Sequence, residues 1–323
     1  MKKIYSFILV AVLCISVCAC GEKKGTAKNK LGLGVVGNAS SSSEKAEFNA
    51  TVAAVVTDEN DKIVACKIDA VENAVKIENG SADRSVTVFK TKQEMADEYG
   101  MREYSGIKKE WYEQADFFAD YVVGMTATEV LNIKTTADGE KKKAADDIIL
   151  AGCTVDISGF ISAVVEACDD PKAKSFEASS YNLGIGIDSL LSDENDEGEK
   201  VKFDITLSAA ITDKSNKTVA MITDALEPEI EIGDDDSERV VTKREAGNDY
   251  GMKKHSPIGK EWYEQADAFA DYAVGLDADG IATIKLKDDG SHKVDDEYLT
   301  AGCTVAVDGF MRSAVKAINN AGK

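Results

Sequence analysis

Alternating apolar and polar residues near the start of each half of the chain predict β-strands. Apolar side chains occupy every second position between residues 48 and 56, and the alternation returns between 203 and 211. Polar turns at 58–61 and 213–216 follow, and each leads into another apolar run, at 63–68 and 218–222. This order is typical of β-hairpins. Glycine-punctuated apolar stretches at 31–36 and 183–187 predict one more strand before each hairpin.

The later part of each half has a helical period. Trp111, Ala115, Phe118 and Val122 recur on one face of a helix, and Trp262, Ala266, Phe269 and Ala273 repeat that stripe. A glycine follows each stripe, Gly124 and Gly275, where a helix is expected to end. Apolar stripes at 160–167 and 310–317 predict a closing helix in each half.

The two halves are related in sequence. Residues 109–116, KEWYEQAD, recur without change at 260–267. Strands followed by helices indicate an α+β fold, and the internal identity indicates duplication. We therefore predict two tandem repeats, each an antiparallel sheet or hairpin layer covered by helices. Repeat 1 covers 31–168, a linker with Pro171 covers 169–180, and repeat 2 covers 181–323.

The start of the chain predicts export and lipid anchoring. Residues 1–19 have two lysines followed by a short apolar run, as in a signal peptide. Residues 17–20 resemble a bacterial lipobox, which makes Cys20 the expected lipidated residue. Residues 20–30 are polar and predict a tether. The expected location is the extracytoplasmic face of the cell membrane, with plain secretion as the alternative.

Charge and cysteine usage exclude several classes of function. Without residues 1–19 the chain has 36 basic and 58 acidic residues, a net charge of −22. The phosphates of nucleic acid would be repelled by that charge. The cysteines after Cys20 are too sparse for a disulfide framework and lack metal-site spacing. We find neither a catalytic histidine constellation nor a metal-ligand cluster, so no catalytic or metal residue is predicted.

A five-residue turn, AGCTV, occurs at 151–155 and again at 301–305, in each case before the closing helix. Small residues that lead into a helix N-terminus allow backbone amides to approach an anion. The candidate binding residues are Gly152, Cys153 and Thr154, with Gly302, Cys303 and Thr304. The alternative is a tight turn without a ligand, in which the cysteines serve as small packing residues. Trp111 and Trp262 could stack on a ligand or belong to the core.

The Gly-rich strand, the hairpin turn at 58–64 and the AGCT turn before an Ala/Val-rich helix resemble the FMN-binding domain of bacterial surface flavoproteins. In that family the closing motif is Ser-Gly-Ala-Thr, so Ala151 and Cys153 are departures from it. The resemblance implies FMN as cofactor. It also implies that a flavin transferase could esterify Thr154 and Thr304 with the FMN phosphate.

The resemblance leads to one functional expectation and one rival. The expectation is a membrane-anchored flavin electron carrier that takes electrons from a membrane donor, with the isoalloxazine doing the redox work. Such a protein would be an electron carrier more than an enzyme. The rival is a non-redox surface lipoprotein that binds a small molecule, a peptide or a protein partner.

Overall fold

The computed structural model describes residues 28–139, 141–192, 200–233 and 237–322. Cys20, the predicted signal peptide and most of the predicted tether lie outside the described residues. The strands are β1 (Lys28–Ser41), β2 (Lys45–Thr57), β3 (Ile63–Glu78), β4 (Ser81–Ala82), β5 (Thr135–Asp138), β6 (Lys141–Ala144), β7 (Lys174–Glu177), β8 (Asn182–Leu191), β9 (Lys200–Thr212), β10 (Thr218–Leu226), β11 (Glu229–Glu231) and β12 (Ser237–Val240).

The helices are short, and the α+β class predicted from the sequence is confirmed. They are α1 (Lys92–Met95), α2 (Trp111–Tyr121), α3 (Ala127–Leu131), α4 (Asp147–Leu150), α5 (Ser158–Cys168), α6 (Lys243–Ala246), α7 (Trp262–Tyr272), α8 (Ala278–Ala282), α9 (Glu297–Thr300) and α10 (Asp308–Asn320). Four short 3-10 turns follow α1 and α6, at Ala96–Tyr99, Met101–Glu103, Gly247–Tyr250 and Met252–Lys254. Within the described ranges, no helix combines the length and the apolar character needed to cross a membrane.

Two antiparallel sheets form the centre of the molecule. The first has the order β12-β1-β2-β3-β4, and β7 also pairs with β1. In the second, β9 pairs with β8, β10 and β11. The predicted hairpins are β2–β3 and β9–β10.

The apolar stripes of the two sheets pack against each other. The stripe from Phe48 to Val56 on β2 and the stripe from Phe203 to Ile211 on β9 belong to one buried cluster. Phe48 and Phe203 are completely buried. A period of two tells which residues share a face but not what that face contacts. The central core is therefore common to both halves, while a second core in each half lies between its own sheet and helices.

Helices cover the outer face of each sheet. The opposite residues of β2, Ala53 and Val55, pack with α2 and α5, while α7 and α10 cover the second sheet. A Cβ atom on Gly34 would lie 2.0 Å from the Ala163 carbonyl oxygen of α5, and one on Gly186 would lie 2.0 Å from the Ser313 oxygen of α10. Glycine is required at both positions because helix backbone contacts strand backbone there. The molecule thus has four layers, helices-sheet-sheet-helices.

The halves also exchange edge segments. β12, from the second half, pairs with residues Gly37–Ser40 of β1. In the opposite direction, Val88 forms a bridge with Leu190 of β8, and the Phe89 amide donates to the Ser189 carbonyl over 2.9 Å. The segment predicted to be a linker, 169–180, contains β7, which extends the first sheet at β1. These pairings join the halves through backbone hydrogen bonds as well as through the shared core.

Candidate functional site

The AGCTV turn lies ahead of the closing helix, as expected, but it forms the C-terminal end of the short helix α4 and does not itself open α5. Residues 151–153 follow α4 directly, and α5 begins only at Ser158. The amides of Ala151, Gly152 and Cys153 donate to carbonyls of α4 over 2.7–3.0 Å. In the second half the amides of residues 301–303 donate to α9 in the same way, over 2.8–3.2 Å. Amides used in this way are not available to a phosphate.

The amide of the threonine in each turn donates to a buried glutamine. Thr154 donates its backbone N–H and its hydroxyl to Oε1 of Gln114, over 2.8 and 3.1 Å. The Gln114 side chain is fully buried on α2, and its Nε2 donates to the Lys109 carbonyl and the Ser105 hydroxyl over 3.1 and 3.3 Å. One side chain therefore connects the turn to the loop before α2.

The same connection exists in the second half. Thr304 donates its N–H and its hydroxyl to Oε1 of Gln265 over 2.8 and 3.0 Å, and Gln265 Nε2 donates to Ser256 and to the Lys260 carbonyl. Sequence reasoning missed both glutamines. The sequence pattern could have indicated them, because Gln114 lies three residues after Trp111 and four before Phe118, on the apolar face of an amphipathic helix. A polar residue on a buried face needs a partner.

The cysteines of the turns point into the core. Cys153 and Cys303 are buried, and burial raises the pKa of each thiol to about 11. A thiol with that pKa is protonated at neutral pH and is a weak nucleophile. Gly152 has no room for a side chain, because a Cβ would lie 2.2 Å from the Phe117 ring. Of the two interpretations of the cysteines, the packing role agrees with the structure.

A cleft opens next to Thr154 in the first half. It has a volume of about 500 Å³, and it lies between the β2–β3 surface, the start of α5 and the segment that precedes α2. Its lining includes Thr51, Glu72, Lys92, Tyr99, Tyr104, Trp111, Gln114, Lys143, Thr154 and Asp156. This volume falls within the range of roughly 300–1,000 Å³ that is common for small-molecule sites.

One wall of the cleft is a compact group of charged and aromatic side chains. The Lys92 ammonium is 2.5 Å from Glu72 Oε1 and lies over the rings of Tyr99 and Trp111, 4.9 and 5.2 Å from their centroids. The Tyr99 hydroxyl donates to the other Glu72 oxygen over 3.1 Å. Lys243 has the corresponding contacts with Glu227, Tyr250 and Trp262. A Lys92 ammonium that is paired in this way is largely neutralised.

The two tryptophans are core residues. Trp111 is 4% exposed and Trp262 3% exposed. Each makes an edge contact with a phenylalanine of the closing helix, Trp111 with Phe160 at 5.6 Å and Trp262 with Phe310 at 5.4 Å. A ligand in the cleft can reach only the margin of the Trp111 ring.

The turns do not present free amides at residues 151–154 or 301–304 to an FMN phosphate. Their amides bond within the chain, and the Thr154 hydroxyl donates to Gln114. At the N-terminus of α5 the Asp156 carboxylate already accepts from Ser158 N over 2.8 Å. The expectation that the turns present free amides to an anion is therefore wrong. Of the predicted residues, Thr154 borders the cleft, whereas Gly152 and Cys153 do not.

In the part of the chain that the structure describes, no group of three or more His, Cys, Asp or Glu residues could hold a metal ion. No protein-family model, curated protein or solved structure matches the chain.

Proposed function

We propose that the chain is a membrane-anchored, extracytoplasmic protein that binds an uncharged small molecule in the cleft beside Thr154. The observation that carries this proposal is the cleft itself, which combines a volume of about 500 Å³ with aromatic side chains and several polar groups. The anchor is the lipid expected on Cys20. The acidic net charge argues against nucleic acid as a partner.

The charges of the cleft favour an uncharged ligand. Two acidic side chains, Glu72 and Asp156, and two basic ones, Lys92 and Lys143, line it. Lys92 is paired with Glu72, so the lining has no excess of positive charge for an anion. A phosphate dianion would lose hydration on entry without a matching cation, in a protein whose net charge is already −20.

The mouth of the cleft indicates how a ligand would be selected. Tyr104 is 88% exposed there, and such a ring can cover the face of a sugar, a nucleoside or another planar ligand. The interior residues Lys92, Tyr99 and Thr154 have counterparts in the second half, whereas Tyr104 and Asp156 correspond to His255 and Ala306. Selectivity is therefore expected to depend on Tyr104 and Asp156.

The test is a binding screen on the mature chain with Trp262→Phe, so that Trp111 alone reports by fluorescence. Probes are neutral monosaccharides, nucleosides and blocked dipeptides, with FMN as the anionic comparison. We expect a neutral probe to bind and Tyr104→Ala to weaken it by about tenfold, because stacking on an aromatic ring contributes roughly 1–3 kcal/mol. His255→Ala is the matched control in the second half. Tight binding of FMN with no neutral ligand would refute the proposal.

Flavin electron transfer is the second candidate, and the position of Thr154 at the edge of the cleft is the observation in its favour. The protein should be produced with a flavin transferase and then examined for flavin absorbance and for added mass. Covalent attachment predicts a mass gain that is lost in Thr154→Ala with Thr304→Ala. A colourless protein of unmodified mass would exclude the covalent form.

A further inference from the structure

The second half of the chain repeats the inner wall of the Thr154 cleft. Lys243 lies over the rings of Tyr250 and Trp262, with its ammonium 5.0 and 5.3 Å from their centroids. The corresponding distances in the first half are 4.9 and 5.2 Å. Lys243 forms an ion pair with Glu227, and it is 9% exposed, as is the lysine of the first cleft. The wall therefore recurs with its charges paired in the same way.

The floor of the cleft recurs as well. Gly309 of α10 lies against Thr206 of β9, so closely that a Cβ atom on the glycine would be 2.6 Å from the threonine Oγ1. The corresponding distance in the first half, between Gly159 and Thr51, is 2.8 Å. Thr206 and Thr304 are half-buried, as are their counterparts that line the first cleft. A ligand that approaches this surface meets a threonine floor equivalent to that of the first cleft.

The rim of the second surface differs from the first in its charges. Asp156 and Lys143 both line the first cleft. The corresponding residues of the second half are Ala306 and Lys293, which pair in an antiparallel bridge. The second half therefore keeps the lysine and lacks the carboxylate.

The segments that contain these lysines have the same register in both halves. The Ile157 amide donates to the Lys142 carbonyl over 3.0 Å, and the Val307 amide donates to the His292 carbonyl over the same distance. Each lysine of the rim is the residue that follows this carbonyl. The difference between the rims is therefore a difference of side chains on a common backbone.

Lys293 has no counter-charge. Its side chain is exposed, and it makes no ion pair with any residue in the described ranges. Asp308 is the acidic residue closest to Ala306 in sequence, and its carboxylate accepts from Arg312 Nη1 over 2.7 Å. Since the lysine and the glutamate of the wall are also paired, one positive charge at this surface is unmatched.

We propose that this surface is a second binding site, which takes a small organic carboxylate. We name it the Thr304 site, and its residues are Thr206, Glu227, Lys243, Tyr250, Lys293 and Thr304. A carboxylate has the single negative charge that matches one unpaired ammonium, whereas a phosphate monoester has nearly two at neutral pH. The inference rests on the proposed function, because it takes the equivalent cleft of the first half as a binding site.

The test is isothermal titration calorimetry of the mature chain with carboxylates and their uncharged partners. The pairs are D-glucuronate with D-glucose, benzoate with benzamide, and N-acetylphenylalanine with its amide. We expect at least one carboxylate to bind saturably, and about tenfold or more tightly than its uncharged partner, because only the carboxylate gains a charged contact with Lys293.

Two substitutions at exposed positions assign this binding to the Thr304 site. Ala306→Asp restores the residue of the first half and should abolish the preference for the carboxylate, since Lys293 then has an internal partner. Ala306→Asn is the uncharged control and should keep the preference. Lys293→Gln should weaken the carboxylate by about tenfold. Lys45→Gln, which removes an equal charge from β2, should have no effect.

Asp156→Ala separates this inference from the proposed function. It removes the same carboxylate from the first cleft, which should then also bind the carboxylate probe. If the Thr154 cleft binds no probe with or without this substitution, the proposed function fails, while carboxylate binding that is lost in Ala306→Asp still supports the Thr304 site. The inference is overturned if no carboxylate binds saturably at millimolar concentration, if the uncharged partners bind equally well, or if the preference survives both Ala306→Asp and Lys293→Gln.

Discussion

Replacing Gln114 with alanine removes the side chain that connects the AGCTV turn to the loop before α2. Five hydrogen bonds are lost, from the Thr154 amide and hydroxyl and to the Lys109 carbonyl, the Ser105 hydroxyl and the Met101 sulfur. The Thr154 N–H and the Lys109 carbonyl are left without their partner, at about 1–3 kcal/mol each. Truncation of this fully buried side chain also leaves a cavity, which adds to the cost of the unpaired groups. We therefore expect the free energy of unfolding to fall by about 3–5 kcal/mol.

Urea unfolding, followed by tryptophan fluorescence and far-UV circular dichroism, measures this loss. Thr154→Ala should cost only about 1 kcal/mol, because the backbone N–H still reaches Gln114. The two substitutions share a hydrogen bond, so the double variant should be less destabilised than the sum of the single variants. The control is Asn132→Ala, which removes an exposed amide that donates to the Thr128 carbonyl and should cost less than about 0.5 kcal/mol.

The isosteric variant Gln114→Glu adds a pH test. Glutamate can still accept from Thr154, but when ionised it cannot donate to Lys109 O and its charge is buried. Its destabilisation should therefore grow as the pH rises. A loss below about 1 kcal/mol for Gln114→Ala would refute the structural role assigned to this side chain, and so would full additivity with Thr154→Ala.

Three further predictions concern the core. Residues 28–178 produced alone should be aggregated or molten, as judged by near-UV circular dichroism, because the β2 stripe packs on the second sheet. Native structure should return when this fragment is combined with residues 181–323. Cooperative folding of 28–178 alone would contradict this. Burial raises the pKa of Asp69 to about 7. The neutral form is therefore favoured in the folded protein, and stability should decrease as pH rises from about 4 to 7; Asp69→Asn should flatten this dependence in urea titrations at several pH values. Cys153 and Cys303 should react with iodoacetamide only after unfolding, as peptide mass spectrometry would reveal, because their thiols are buried and their pKa is about 11.

Several features of the fold could be predicted because they depend on neighbours close in sequence. The period of two between 203 and 211 and the helical stripe that begins at Trp111 are consequences of backbone geometry. They correspond to β9 and α2. Turn and helix-end signals also act within a few residues, and Gly124 and Gly275 indeed have left-handed backbone conformations.

The candidate site could be predicted only in part. Of the recurring turn in the first half, Thr154 borders a cleft. Whether the amides of residues 151–153 were free depended on α4, a single helical turn whose carbonyls accept them. The Lys92–Glu72 pair was also missed, because its members are separated by twenty positions in sequence and meet only when α1 packs on β3.

The sequence by itself determined the two main hairpins, the longer helices, their order and the identity between the halves, because local periodicity and chain sterics specify these. Only the tertiary structure decided what each apolar face contacts. The β2 stripe could have faced a helix or a sheet, since burial of apolar area is non-directional and either partner removes it from water. In the folded protein the β2 stripe packs against the sheet of the other half, and the shared core follows from that contact.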